Sequence, residues 1–271
     1  MAHIEVENLT KHFGDVVALR DVSFEIKRGE FAVVLGASGS GKSTLLRTMN
    51  GLTKPTDGEV TVAGKRITEP HPEIAMIFQQ HNIIGDLSAY SNALTGSLKR
   101  NRTLQSVFQF NDVEDKYKAL EALDAVGLLN EATQQASRMS GGQQQRVGIA
   151  RALVQEPATL LADEPVASLD PGSSQRVMGY LLNASQDREL TTLVSLHQVN
   201  LARQFGERFI GLKEGEVVFD GYAEDFDLDV VDAIYEDIDL DTLLEEAERE
   251  SQAQAPEMDT GSDKKTGVGE V

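Results

Sequence analysis

Five apolar residues, Phe31-Ala32-Val33-Val34-Leu35, run directly into Gly36-Ala37-Ser38-Gly39-Ser40-Gly41-Lys42-Ser43-Thr44. A short continuous apolar run bounded by glycine suits a strand buried on both faces in the middle of a sheet. Residues 42–50 read as a helix, so the glycine loop lies between a strand and a helix. The spacing Gly36-x-x-x-x-Gly41-Lys42-Ser43 is that of a phosphate-binding loop. Glycines let backbone N–H groups converge on a β-phosphate, and the following helix adds its positive N-terminal end. In such a loop Lys42 reaches the β- and γ-phosphates, and the Ser43 hydroxyl ligates Mg²⁺. The alternative, a chance glycine-rich turn, would not bring this flanking strand and helix with it. A nucleotide-binding α/β domain is the expectation.

The rest of the chain agrees with that class. Ile4, Val6 and Leu9, then Val22, Phe24 and Ile26, nearly alternate as half-buried strands do. Val60–Val62 and Ile74–Phe78 read as further strands. From about Leu87 to Met139 strand signals fade, and segments such as Lys116–Leu123 favour helix, which predicts an inserted helical subdomain over about 87–141. Strand-like runs return at Thr159–Ala162, Thr191–Ser195 and Val217–Phe219, with helical stretches at 142–155, 173–185 and 198–205. Alternating strands and helices imply a mostly parallel sheet covered on both faces. The chain carries one copy of each motif.

Charge separates the core from a tail. Residues 1–222 hold 27 acidic and 22 basic side chains, whereas residues 223–271 hold 17 and 3. The net charge of −19 therefore belongs mostly to the C-terminal segment. It argues against nucleic acid as a partner, because phosphate backbones are bound by basic surfaces. Val230, Val231, Ile234, Ile238 and Leu244 can mark one face of a helix, and the composition beyond Ser251 predicts disorder. There is no cysteine for disulfides or thiolate metal sites. No apolar run approaches the roughly 18 residues of a membrane span, and Met1–Glu5 lacks the pattern of a secretory signal, so any membrane link is expected through another protein.

Two further motifs give the loop its context. Leu160-Leu161-Ala162-Asp163-Glu164 is an apolar strand ending in two carboxylates, which can place Asp163 beside Mg²⁺ and Glu164 beside an attacking water. Alone it is weak, since acidic residues commonly end strands. Ser140-Gly141-Gly142-Gln143-Gln144-Gln145-Arg146 offers a hydroxyl and close backbone approach at a helix start. Ser140 also reads simply as the N-cap of that helix, and the two roles are compatible.

Together, and in this order, these motifs resemble the ATP-binding cassette ATPases, with Met139 where leucine is usual. The resemblance covers roughly residues 3–235 and implies a P-loop NTPase core with a mostly parallel sheet, an N-terminal antiparallel β subdomain and the inserted helical subdomain. Residues 1–235 would be the cassette and 236–271 an acidic extension, either a solvated tail or a regulatory helix. By the same resemblance Glu164, His197 and Lys42 are catalytic, and Phe13 stacks on adenine. Gly36, Ala37, Ser38, Gly39, Ser40, Gly41, Lys42, Ser43, Thr44 and Gln79 bind ATP, and Ser43, Gln79 and Asp163 hold Mg²⁺. Ser140, Gly141, Gly142 and Gln143 contact the ATP of a partner subunit, and Ser168 and Asp170 form the loop that crosses the dimer interface.

Several stretches look closest to the ATPase subunit of phosphonate importers: Phe78-Gln79-Gln80-His81-Asn82-Ile83-Ile84, Leu87–Gly96, Ala162–Pro171, and above all Ser195-Leu196-His197-Gln198-Val199-Asn200, where many cassettes have an acidic residue after the histidine. That implies a homodimer of cassettes on the cytoplasmic side of the cell membrane. The dimer would dock on two integral-membrane permease subunits fed by an extracytoplasmic substrate-binding protein. Importers of phosphate, phosphite, methionine or amino acids, a soluble cassette acting on ribosomes or DNA, and a non-hydrolysing regulator are the competing readings.

Overall fold

The chain is described here by a computed structural model covering residues 2–79, 82–99 and 113–235. Gln80, His81, Ile238, Leu244 and the whole 236–271 extension lie outside the described residues. Strands β1 (Ala2–Phe13) and β2 (Val16–Lys27) form an antiparallel hairpin. Its inner face is the alternating set that the sequence pattern predicts, with Ile4, Val6, Leu9, Val22, Phe24 and Ile26 all buried. β3 (Phe31–Leu35) is buried at every position, and it leads through the glycine loop into α1 (Lys42–Met49). β4 (Asp57–Val62) and β5 (Lys65–Arg66) complete a four-stranded sheet in the order β2-β1-β4-β5, paired antiparallel throughout.

β6 (Ile74–Ile77) belongs to the second sheet and ends one residue short of the predicted strand, at Ile77. The helical region follows: α2 (Ala89–Leu94), a 3₁₀ turn at Thr95–Lys99, α3 (Val113–Ala125), a second 3₁₀ turn at Ala136–Arg138 and α4 (Gly141–Val154). Small side chains let these helices approach closely, with Ala89, Ala93, Ala119, Ala122 and Ala150 fully buried among them. Asn92 fixes the entry to α2, accepting from the Ile84 amide and donating to the Ile84 carbonyl at 2.8 and 3.0 Å.

The chain then returns to the sheet through β7 (Thr159–Asp163), α5 (Pro171–Asp187), β8 (Thr191–Leu196), α6 (Val199–Phe205), β9 (Arg208–Lys213), β10 (Glu216–Tyr222) and α7 (Leu228–Tyr235). The six-stranded sheet has the order β10-β9-β3-β8-β7-β6, parallel except for the antiparallel edge pair β9–β10. Leu45, Leu46 and Met49 of α1 pack into one core with Leu161, Leu193 and Ile210 of that sheet and the inner face of the hairpin. α5 starts at Pro171, two residues before the predicted start, because the Asp170 side chain caps it by accepting from the Ser173 amide at 2.9 Å.

The pattern announces neither the two-residue β5 nor β9. In β9 the apolar run is interrupted by Gly211, and the reason lies in α7. A Cβ at position 211 would sit 2.6 Å from the Ile234 side chain, so the glycine is what lets α7 lie against the sheet.

Candidate active site

β3, β7 and β8 lie side by side and parallel, so their C-terminal ends open on one edge. That edge is where open α/β sheets present ligand-binding loops. The glycine loop leaves β3, Asp163-Glu164 leaves β7 and His197 leaves β8.

Two glycines in the loop are required by close packing. A Cβ on Gly36 would lie 2.2 Å from the Leu212 carbonyl oxygen and 2.5 Å from Ser40 Oγ. Gly41 adopts φ +107°, and a Cβ there would meet the Ala18 carbonyl at 2.5 Å. The second contact sets β2 of the hairpin against the loop. At the hairpin's tip Phe13 is 52% exposed, its ring face 4.8 Å from Lys11 Nζ.

Lys42 is only 3% exposed, and its Nζ donates to the carbonyls of Gly36 at 2.7 Å and Ala37 at 3.0 Å. Burial lowers its pKa, while Glu164 and Asp163 pull in the other direction. Ala37, Ser38 and Gly39 face solvent, whereas Ser40 is buried with an Oγ that has no hydrogen-bond partner among the described residues. Ser43 Oγ donates to Asp163 Oδ1 at 2.8 Å.

Glu164 sits where the three loops meet. Its side chain is 19% exposed, and its backbone adopts φ +45°, a left-handed conformation unusual for a residue with a Cβ. Oε1 lies 3.5 Å from Lys42 Nζ, Oε2 accepts from Gln79 Nε2 at 3.4 Å, and His197 Nδ1 is 3.9 Å from the same Oε2. The structure thus gathers Lys42, Gln79, Asp163, Glu164 and His197, from four segments, around one carboxylate. Gln79 reaches Glu164; no hydrogen bond joins it to Ser43 or Asp163 among the described residues.

The ligands suit a small, hard divalent cation. Ser43 and Asp163 offer a hydroxyl and a carboxylate 2.8 Å apart. No group of three or more His, Cys, Asp or Glu side chains able to hold a metal occurs among the described residues. That is the donor set expected for Mg²⁺, which takes one or two protein ligands and completes its shell with phosphate oxygens and water. The unpartnered Ser40 Oγ and the solvent-facing loop at Ala37–Gly39 suit a phosphate equally well.

Ser140–Gln143 stands apart from this cluster. Ser140 caps α4 reciprocally: its Oγ accepts from the Gln143 amide at 3.3 Å, and Gln143 Oε1 accepts from the Ser140 amide at 2.9 Å. Ser140 and Gly141 are exposed, and no hydrogen bond links this turn to the glycine loop among the described residues. Gly142 instead abuts α5, where its Cβ would lie 3.3 Å from Ser173 Cβ. The predicted signature and the exposed Ser168 and Asp170 therefore share one surface. The hydroxyl and the amide of Ser173 hold the Asp170 carboxyl below its ordinary range.

Two residues here escaped the sequence reading. Ser195, fully buried in β8, donates to Asp163 Oδ1 at 3.1 Å and accepts from the Glu164 amide at 2.9 Å. A lone serine two residues before His197 in a buried strand was the available signal. Tyr235 ends α7, and its hydroxyl donates to the His197 carbonyl at 3.1 Å. Burial raises its pKa to about 12, so the phenol keeps its proton. Nothing local marks that tyrosine.

A profile described as ABC transporter matches residues 19–167. The chain is 61% identical to the phosphonates import ATP-binding protein PhnC of Halobacterium salinarum, covering 90% of this chain and 87% of that one. It is 47% identical to the protein of that name from Thiobacillus denitrificans, over 90% and 98%. Among solved structures, it is similar to the dimeric bacterial ABC transporter cassette MJ0796, with a TM-score of 0.71 at 35% identity over 82% of this chain and all of that one. A dimeric form of that cassette bound to ADP and phosphate gives a TM-score of 0.68 at the same identity and the same coverage.

Proposed function

Because this chain belongs to the ABC transporter family, as one of its ATP-binding cassettes, we propose that it is the ATP-hydrolysing subunit that powers a phosphonate importer. The observation that carries the hydrolytic part is the convergence of Lys42, Gln79 and His197 on Glu164. The cargo rests on the relatives named for phosphonate import and on the Ser195–Asn200 stretch. Residues 1–235 form the cassette, with its helical subdomain over about 87–141, and 236–271 are an added segment.

In this reading the backbone amides of Gly36–Thr44 and the ammonium of Lys42 hold the phosphates, and Phe13 stacks on adenine. Ser43 and Asp163 would hold Mg²⁺, with Gln79 facing the same space, and the ion would supply positive charge opposite the β- and γ-phosphates. Glu164 takes a proton from the attacking water as its oxygen bonds to the γ-phosphorus. The β–γ bridge P–O bond breaks, and its electron pair stays with ADP. His197 contacts the γ-phosphate. Water is excluded by Ser140–Gln143 of the partner subunit, since one chain's capped turn is exposed and makes no hydrogen bond to its own loop among the described residues. Two cassettes therefore enclose two nucleotides head to tail.

Among the described residues no helix is long and apolar enough to cross a membrane. In this reading the homodimer acts at the cytoplasmic face of the membrane through two permease subunits, which receive cargo from an extracytoplasmic binding protein. The test has two arms. Purified chain with Mg²⁺ and ATP should release phosphate, and Glu164→Gln should not. A strain lacking the gene should lose uptake of radiolabelled methylphosphonate and regain it from the wild-type gene alone. Unimpaired uptake in the deletion strain would remove the cargo assignment and leave the ATPase standing.

A further inference from the structure

The loop that carries His197 is not anchored by its own residues. β8 ends at Leu196 and α6 starts at Val199, with only His197 and Gln198 between. Gln198 occupies the N-cap of α6, yet its side chain makes no capping hydrogen bond. The imidazole is 43% exposed and lies beyond hydrogen-bonding distance of Glu164 at 3.9 Å. What reaches the loop backbone from elsewhere is the hydroxyl of Tyr235, 3.1 Å from the His197 carbonyl. That phenol ties the end of α7 to the loop that follows β8.

The phenol is itself held firmly. Val231 and Ile234 bury the inner face of α7, and Ile234 fills the space that Gly211 leaves open on β9. Just before the helix, Phe226 stacks on Phe209 with centroids 4.5 Å apart. Arg203, near the end of α6, lies 5.4 Å over the Phe226 ring and donates to its carbonyl at 3.4 Å. The segment 226–235 therefore grips α6 at its far end and the histidine loop at its near end.

We propose that Tyr235 is a positioning residue for the switch histidine, so that the aim of His197 at the γ-phosphate depends on α7 staying docked against β9. The inference rests on the reading of His197 as the γ-phosphate contact. It makes α7 a working part of the ATP site, because lifting α7 withdraws the phenol from the histidine loop.

Tyr235→Phe keeps the ring and removes only the hydroxyl, so it isolates this hydrogen bond. Turnover at saturating ATP should fall about 10-fold, less than the roughly 100-fold that displacing a catalytic group by about 1 Å can cost. KM for ATP should stay within about twofold, because phosphate-loop and adenine contacts carry most of the binding. A second readout is independent of activity. In full-length chain labelled with ¹³C at histidine, the His197 imidazole signal, identified by its loss in His197→Ala, should move in Tyr235→Phe while those of His3 and His71 stay in place. A general loss of stability would shift all of them or lower the melting temperature. An unmoved His197 signal overturns the inference, as does unchanged turnover in a variant whose signal has moved. Failure of wild-type chain to release phosphate would instead overturn the functional reading, and the two failures are separately visible.

Discussion

Replacing Ser195 by alanine removes one buried hydroxyl that joins both carboxylate residues of the site. It donates to Asp163 Oδ1 at 3.1 Å and accepts from the Glu164 amide at 2.9 Å. A hydrogen bond to a charged group contributes about 1.5–3 kcal/mol and a neutral one about 1 kcal/mol, so the variant should lose about 3 kcal/mol of stability. For a domain of this size that corresponds to a fall in Tm of roughly 6–12 °C. The effect on turnover is argued separately. Glu164 is held at φ +45°, a conformation that costs about 1–3 kcal/mol and persists only when its surroundings impose it. Without the anchor on its amide the carboxylate can relax away from the water it activates, and turnover should fall at least about 10-fold, the equivalent of about 1.4 kcal/mol. Ser185→Ala supplies the comparison, because Ser185 is as deeply buried and also makes two hydrogen bonds, to Leu181 and Thr192, away from the loops. Phosphate release and thermal unfolding of both variants decide the matter. If Ser195→Ala melts early but turns over within twofold of wild type, as Ser185→Ala should, the hydroxyl is merely structural and the reasoning fails.

Other consequences are as concrete. Glu164→Gln should bind ATP, hydrolyse it about 100-fold or more slowly, as loss of a general base commonly does, and accumulate as a dimer in light scattering; undiminished hydrolysis would remove Glu164 from that role. Phe13→Ala should raise KM for ATP by roughly tenfold with kcat nearly unchanged, since stacking an aromatic on a base contributes about 1–3 kcal/mol; equal KM values would free the aromatic of any contact with adenine. Gln143→Ala removes one half of the reciprocal cap on α4 and should cost about 1 kcal/mol of stability, read as a lower urea midpoint. Chelation of divalent cations by EDTA should abolish phosphate release and leave the far-ultraviolet circular dichroism unchanged, because Ser43, Gln79 and Asp163 are expected to hold the ion within an already folded site.

The site was legible wherever a residue's role is written into its own neighbourhood. Gly36–Ser43 follows a fully buried strand, Asp163 and Glu164 end another, and Ser140 opens a helix with its own capping partner three residues on. Chemistry and local geometry coincide there, so spacing suffices. Ser195, Tyr235 and Gly211 were illegible for the opposite reason. Each is defined by what tertiary packing brings to it: two carboxylate residues 31 and 32 positions away, a carbonyl 38 positions away, and an isoleucine from the last described helix. The same distinction bears on why a single chain looks unfinished. Its phosphate loop is solvent-facing at Ala37–Gly39, while its exposed Ser140-Gly141 turn makes no hydrogen bond to that loop among the described residues. A binding loop open to solvent and an exposed donor turn with no hydrogen bond to it among the described residues fit the proposal that each nucleotide site is completed by a second subunit.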